Sequence, residues 1–347
     1  MILVLKRTFS MLFACFLRAS GALWWARRRL RLSGAIAVLT FHRVLPDQDF
    51  EGTDSLAGMV VRERTFQKLA AYLSCRFEPV GLLDAEPGGA NRKLRAMVTF
   101  DDGWKDTMSV ALPIAHAHGI PIAVFLCPGL LDRAAPFWPE NAANALKREQ
   151  PGISAARVEA LIETLKARSR ADRDRLLRDL FPFPTIPYPA DRTLTWEDVL
   201  RMKKMGVTIG SHTMNHEILP ALCARAARRE VRESKEVIAK LLNQTCEVFA
   251  YPNGDCGGGV DAIVAEEGYR LAFSTQCGPW MPDSDRRRIP RANVSEDNVT
   301  FFGKFFSGAR FEYTTIWRMY RTMERARCAD RELPERQVEA AAAGRSL

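Results

Sequence analysis

Between residues 35 and 294 the chain alternates two patterns, and this alternation limits its fold more than any other feature. Short apolar runs rich in β-branched residues, bounded by turn residues, occur at 35–41, 96–100, 121–126, 207–209, 248–251, 271–274 and 288–294. Helical patterns stand between them at 65–73, 108–118 and 195–205. The last of these begins at Thr195, has Asp198 three residues on and stops at Gly206, a start and stop signal in one segment. Strands alternating with helices predict a parallel α/β sheet or barrel. A chain of 347 residues that is 47% hydrophobic and 26% charged is long and apolar enough to bury such a core, and it is neither disordered, collagen-like nor a multispan membrane protein.

The formal net charge is +9, but residues 1–34 hold seven basic residues and no acid, so the rest of the chain is nearly neutral. Nucleic-acid binding needs basic charge along a folded groove and is set aside. On a helical wheel Arg7, Arg18 and Arg29 nearly superimpose, with Ser10, Ala14 and Gly21 on the same side and Leu5, Phe9, Leu12, Phe13, Phe16 and Leu23 opposite. Trp24 and Trp25 precede the arginine cluster. A basic, aromatic, one-faced helix has the character of an interfacial anchor on an anionic membrane surface. The uncharged run, 8–17, is shorter than the roughly 20 residues a spanning helix requires, and no small-residue cleavage site follows it. An uncleaved signal anchor and a helix that covers its own domain remain the alternatives. The eight cysteines form no C-x-x-C pair and read as reduced thiols, which excludes a zinc site built from cysteine pairs. They point to a cytoplasmic protein peripheral to the inner membrane face, or to a periplasmic one if the signal anchor is real.

The expected organisation is a basic amphipathic segment over 1–34, a barrel over 35–300 and a C-terminal helix with a disordered tail over 301–347. Residues 133–192, rich in Arg, Ala and Pro, break the strand–helix rhythm and read as a helical insertion. It is either a solvated face or a lid over the site.

Two segments carry chemistry. In AMVTFDDGW, 96–104, a buried strand ends in Asp101 and Asp102 before Gly103. Neighbours on a strand point to opposite faces, but a turn at the glycine lets both carboxylates face one mouth. One can then bind a cation while the other stays free as a base. In VTIGSHTMNHEIL, 207–219, His212 and His216 follow a strand at a spacing of four, which on a helical turn puts both rings on one face. The chain has only five histidines. Functional loops of parallel sheets and barrels lie at the C-terminal strand ends, so the two motifs are expected to share a mouth. Two histidines and a carboxylate leave coordination positions open for water, the composition of a hydrolytic site.

TFDDG followed about 110 residues later by H-T-x-x-H resembles the polysaccharide deacetylases, the NodB-homology group of carbohydrate esterase family 4, over roughly 35–295. The resemblance implies a distorted (β/α) barrel and metal-dependent hydrolysis of an N-acetyl group on a sugar. It makes Asp101 the general base and Asp102, His212 and His216 the ligands of a divalent metal, with zinc the expected ion.

The chain departs from the family pattern twice. The third motif reads FAYPNG at 249–254, with Ala250 where an arginine is expected and Asn253 where an aromatic is expected. The Asn253 amide can still serve as an oxyanion donor, since that role needs no side chain. The arginine that steadies the base must come from elsewhere, and Arg291 in RRIPRANV is the candidate. The late histidine of the family is also missing, since none follows His216. LTFHRV, 39–44, at the end of the first strand resembles the permuted branch typified by bacterial exopolysaccharide deacetylases, which makes His42 the catalytic acid. His116 and His118 lie in a helical pattern and read as structural.

These expectations describe a deacetylase acting on an N-acetylated glycan or lipid-linked sugar. The alternatives are a non-catalytic sugar-binding member of the family and a deacylase for formyl or O-acetyl groups.

Overall fold

The computed structural model describes residues 2–327 apart from 90, 133–136, 167, 169 and 181–191. The expected loop at 181–189 and the expected disordered tail beyond 327 lie outside the described residues. The strands are β1 (Ile36–Phe41), β2 (Arg43–Leu45), β3 (Val60–Arg62), β4 (Glu78–Pro79), β5 (Arg95–Phe100), β6 (Ile122–Leu126), β7 (Thr208–Ser211), β8 (Val248–Ala250), β9 (Leu271–Phe273), β10 (Ala292–Asn293), β11 (Thr300–Phe301) and β12 (Phe305–Phe306). Eight of them form one parallel sheet in the order β10-β1-β5-β6-β7-β8-β9, with β4 on the same edge of β5 as β6. The sheet curls until its ends meet through one segment. Ile289 exchanges main-chain bonds with β9, and Ala292 and Asn293 pair with Leu39 and Thr40 of β1. This is the distorted (β/α) barrel of the NodB-homology type.

Strand parity builds two cores. Ile36, Val38, Met97, Ala123, Phe125, Val248, Ala250, Leu271, Phe273 and Ile289 fill the barrel interior. The alternate residues, among them Leu39, Phe41, Val98, Phe100, Val124 and Phe249, meet the surrounding helices. Gly210 is obligatory in this interior, because a Cβ there would stand 2.6 Å from the Phe125 ring and 2.7 Å from Val248.

The helices that matter to the site are α3 (Glu63–Arg76), α4 (Leu112–Ala117), α5 (Trp138–Glu149), α6 (Ala155–Lys166), α7 (Arg170–Leu180), α8 (Trp196–Lys204) and α9 (Ala224–Leu242). The start expected at Thr195 is a reciprocal capping box, with Asp198 N donating to Thr195 Oγ1 at 3.1 Å and Thr195 N donating to Asp198 Oδ2 at 2.8 Å. His116 lies in α4 and His118 just after it, and both are away from the cavity described below.

The N-terminal segment departs from the expected single helix. α1 (Ile2–Ala19) and α2 (Ala22–Leu32) meet at Gly21, whose φ is 77°, and the apolar stretch bends by 69° there. The bend removes Arg29 from the stripe begun by Arg18, because a helical wheel holds only along a continuous axis. No single described helix is long and apolar enough to cross a membrane. Ala14 and Leu17 of α1 are buried, and Leu17 and Leu23 pack on Ala309 near the C-terminal helix, so these helices do cover their own domain. The C-terminal helix starts at Gly308 and contains a wide π-type turn, Tyr313–Trp317.

Candidate metal centre and cavity

Parity also positions the polar residues. Counting inward-facing positions past the apolar layer leads to Thr40 and His42 from β1, Thr99 and Asp101 from β5, His212 from β7 and Arg291 from the closing segment. Each stands two or four residues beyond an inward residue of that layer, so the interior ends in a polar layer at the C-terminal strand ends.

Asp101 and Arg291 are both fully buried. Arg291 Nη1 and Nη2 donate to Asp101 Oδ1 and Oδ2, each at 2.7 Å, a bidentate pair. The guanidinium is fixed by two further bonds, to Ser274 O at 3.0 Å and Thr99 Oγ1 at 3.2 Å. Burial is the largest influence on the Asp101 carboxyl and works upward. The charges of Arg291 and then His212, with the Arg291 hydrogen bonds, outweigh it and hold the group well below the usual carboxylate range.

Asp102 has the opposite parity and is brought back to the mouth by two consecutive left-handed residues, with φ of 75° at Asp102 and 84° at Gly103. Its Oδ2 accepts from the buried Trp104 Nε1 at 3.1 Å, while its Oδ1 is buried without a hydrogen-bond partner. The Oδ1 atom lies 3.5 Å from His212 Nε2 and 3.3 Å from His216 Nε2.

The two histidines do not meet on a helical turn as the spacing suggested. Residues 212–218 form a loop in which Thr213 and His216 both have left-handed φ, 65° and 59°. Thr213 Oγ1 accepts from Glu217 N at 3.1 Å, and Asn215 donates from N and Nδ2 to Glu230 of α9 at 2.8 and 2.9 Å. A short polar side chain at each of these two positions offers the loop a local alternative to helical bonds.

The donor set fits a divalent cation. His212 Nδ1 stands 2.7 Å from the carbonyl of Ala250, which can only accept, so Nδ1 carries the proton and Nε2 presents a lone pair. Burial pushes the His212 imidazole down to about 4 and the His216 imidazole down to about 3, so both rings are neutral near pH 7. Two uncharged imidazoles and a buried carboxylate oxygen thus converge, and the three ligand atoms lie within 4.8 Å of one another. Two ligands bound tetrahedrally at about 2.1 Å stand roughly 3.4 Å apart, close to the spacings from Asp102.

The centre lies in the wall of a cavity of about 320 Å³ that also includes His42 and Asn253. His42 Nδ1 is buried without a partner. Asn253 has φ 58°, its carbonyl accepts from Thr275 Oγ1 at 3.0 Å, and its Oδ1 accepts from Lys166 Nζ at 3.2 Å. All seven residues singled out from the sequence are therefore brought together, with Arg291 behind Asp101 rather than in the cavity. Sequence reading left the insertion as a solvated face or a lid and named none of the residues that form the opposite wall. Phe137, Trp138, Glu140, Ile162 and Lys166 line the cavity, and all come from the insertion. The Phe137 ring stands edge-on to His216 at 5.6 Å. The signal available was Phe137 and Trp138 adjacent at the start of a polar insertion. The reading also missed Arg43, fully buried, which bonds Asp106 at 3.0 Å and lies 4.2 Å over the Trp104 ring that supports Asp102.

Comparison with known proteins agrees with this geometry. The family described as polysaccharide deacetylase matches residues 88–272, more than half of the chain. The curated protein YxkH of Bacillus subtilis (strain 168), which bears the family's name, is 26% identical over 102 residues; the match spans 29% of this chain and 37% of that relative. Among solved structures, the Streptococcus pyogenes deacetylase PplD in complex with acetate superposes with a TM-score of 0.51 at 18% identity, covering 76% of this chain and 94% of its own. IcaB from Ammonifex degensii gives 0.51 at 19% identity, with the same coverage. A de-N-acetylase from Aggregatibacter actinomycetemcomitans gives 0.52 at 16% identity, covering 77% of this chain and 97% of its own. At these identities the three structures share the fold.

Proposed function

The chain belongs to the polysaccharide deacetylase family, whose chemistry is hydrolysis of carbon–nitrogen bonds in acetylated sugars, and on that premise we propose that it removes N-acetyl groups from an amino-sugar glycan. The observation that carries the reading is the convergence of two uncharged imidazoles and a carboxylate beside an arginine-held carboxylate in an open cavity.

Asp102, His212 and His216 would hold a divalent metal, with zinc the ion best matched to one oxygen and two nitrogen donors. When bound, a divalent cation supplies Lewis-acid polarisation of the acetamide carbonyl and of the attacking water. Asp101 takes the water proton. Arg291 keeps this carboxylate ionised and aimed; Oδ2 also accepts from Thr40 Oγ1 at 3.4 Å, so Oδ1 is the oxygen that retains a second lone pair for the transfer. The Asn253 amide donates to the developing oxyanion. His42, protonated at the start, delivers its proton to the departing amine, and acetate leaves. The insertion wall closes one side of the cavity and meets the sugar. A non-catalytic sugar-binding role gives no reason for a buried carboxylate locked by arginine beside the ligand set.

The test is metal analysis of the purified protein together with acetate release from a panel of N-acetylated glycans and lipid-linked sugars. Stoichiometric metal with acetate from at least one substrate is expected. Metal-loaded protein that releases none across the panel would leave the sugar-binding reading in its place.

A further inference from the structure

The five most exposed large apolar side chains among the described residues are Phe302 at 73%, Phe9 at 70%, Leu12 at 66%, and Phe16 and Phe305 at 63% each. They come from two distant parts of the sequence, and those two parts meet. A surface cleft is lined by Thr8 and Met11 of α1 and by Phe302 and Gly303 of the β11–β12 hairpin. The orientation of α1 is fixed from behind, because Ala14 and Leu17 are buried. Phe9, Leu12 and Phe16, spaced i, i+3 and i+7, therefore face outward as one stripe. Trp24 of α2, 58% exposed, extends the apolar surface beyond the bend.

Both elements are basic, and one acid, Asp297, lines the cleft between them beside Arg310. Neither 1–34 nor 300–306 contains an acidic residue. The fold divides the N-terminal arginines into two groups. Arg27 pairs with Glu312, Arg29 reaches Glu324 at 3.9 Å, and Arg31 donates to main-chain carbonyls of Asn91 and Arg92. Arg18 and Arg28 are exposed and have no ion pair among the described residues, and Arg28 stands 5.9 Å from the Trp24 ring. Lys304 is exposed between Phe302 and Phe305. Aromatic side chains interleaved with unpaired cations suit the boundary between anionic headgroups and acyl chains.

We propose that the outward faces of α1 and α2, joined by the β11–β12 hairpin, form a docking surface for an anionic lipid bilayer. The surface differs from a simple amphipathic leader in needing the folded domain, since Phe302 and Phe305, two of its five aromatic side chains named above, belong to a hairpin some 290 residues away. It also lies near the cavity. The chain passes from Asn293, in the cavity wall, to Phe302 in nine residues, at most roughly 30 Å when extended. A protein docked here holds its cavity close to the membrane plane, within reach of glycans that are attached to lipid or emerge at the surface.

The experiment is flotation of the full-length protein with phosphatidylcholine vesicles, with and without phosphatidylglycerol. Binding to the anionic vesicles at least tenfold above the neutral ones is expected, falling with salt. The variant Phe302→Ser/Phe305→Ser should lose roughly tenfold of that binding while keeping its metal content and melting transition. Arg18→Gln and Arg28→Gln should each cost roughly fivefold on anionic vesicles and little on neutral ones. The proposal is overturned if the full-length protein ignores anionic vesicles, or if the hairpin variant binds as well as the parent. A requirement for detergent would assign α1 and α2 to a broken span instead. A dimer that the hairpin variant dissolves, without vesicle binding, would assign the surface to a second copy of the chain.

Discussion

The two walls of the cavity are built on different principles. The strand-end floor, with Asp101, Asp102, His212 and Arg291, is almost wholly buried, and its charges are locked into each other or left converging on one point. The insertion wall, with Trp138, Ile162 and Lys166, rests on helices held to the barrel's loops by polar contacts, many of them partly exposed. These include Lys166 to Asn253 at 3.2 Å and Arg173 to Glu217 at 3.5 Å. A buried charge that loses its partner has no solvent to fall back on, whereas a half-exposed lysine has. The floor should therefore tolerate no substitution without loss of chemistry, and the wall should tune which sugar is accepted.

Four expectations test this contrast. The largest effect should follow loss of a ligand. His216→Ala or Asp102→Asn should abolish stoichiometric metal binding and lower activity by roughly a thousandfold or more. Full metal occupancy in either variant, measured on the purified protein, would remove the site assignment. Next in size are the proton-transfer groups, which should separate from the ligands. Asp101→Asn and His42→Ala should keep metal and lose on the order of 100-fold or more in turnover. For His42→Ala an activated ester should suffer much less than the amide, since its leaving group needs no proton. Equal losses on both substrates would return His42 to a structural role.

The third expectation concerns pH. A carboxylate whose pKa is depressed is active above that value, and activity is lost as pH falls through it. Arg291→Met removes the largest downward influence on Asp101 and leaves burial, which works upward. The acid limb of the pH–rate profile should then move to higher pH. Stability near neutral pH should also fall by about 3–5 kcal/mol, the cost of a stranded buried charge. An unmoved acid limb in a folded variant would detach Arg291 from the base. The smallest effects belong to the insertion. Lys166→Met and Trp138→Ala should keep metal and change KM by about tenfold or less, unequally across a glycan panel. If either matched the Asp101 variant in turnover, the distinction between floor and wall would fail.

The N-terminal helices show where sequence reading is weakest. A wheel drawn through Gly21 aligned Arg18 with Arg29, but a single left-handed glycine turned the axis by 69° and sent Arg29 to Glu324. The histidine motif failed in a milder way. Its spacing correctly implied convergence, but the loop reaches it through left-handed Thr213 and His216, not through helical repeat. Helix α9, whose Glu230 pins that loop, was not marked by the sequence reading at all.

Local information determined the strands, the capping box at Thr195 and the residue types able to hold a cation. These depend on neighbours a few positions apart: inward parity within a strand, a side chain three residues from a cap, a glycine after a carboxylate. In the folded sheet the same parity carries His42, Asp101, His212 and Arg291 to inward positions. The tertiary structure alone decided which distant groups meet. It closed the sheet through Ile289 and so delivered Arg291 to Asp101 across 190 residues. It also laid the insertion over the cavity, and it set the hairpin at Phe302 beside Met11. Such meetings depend on sheet curvature and on which helix face finds burial, properties of the whole chain's packing that no short window contains.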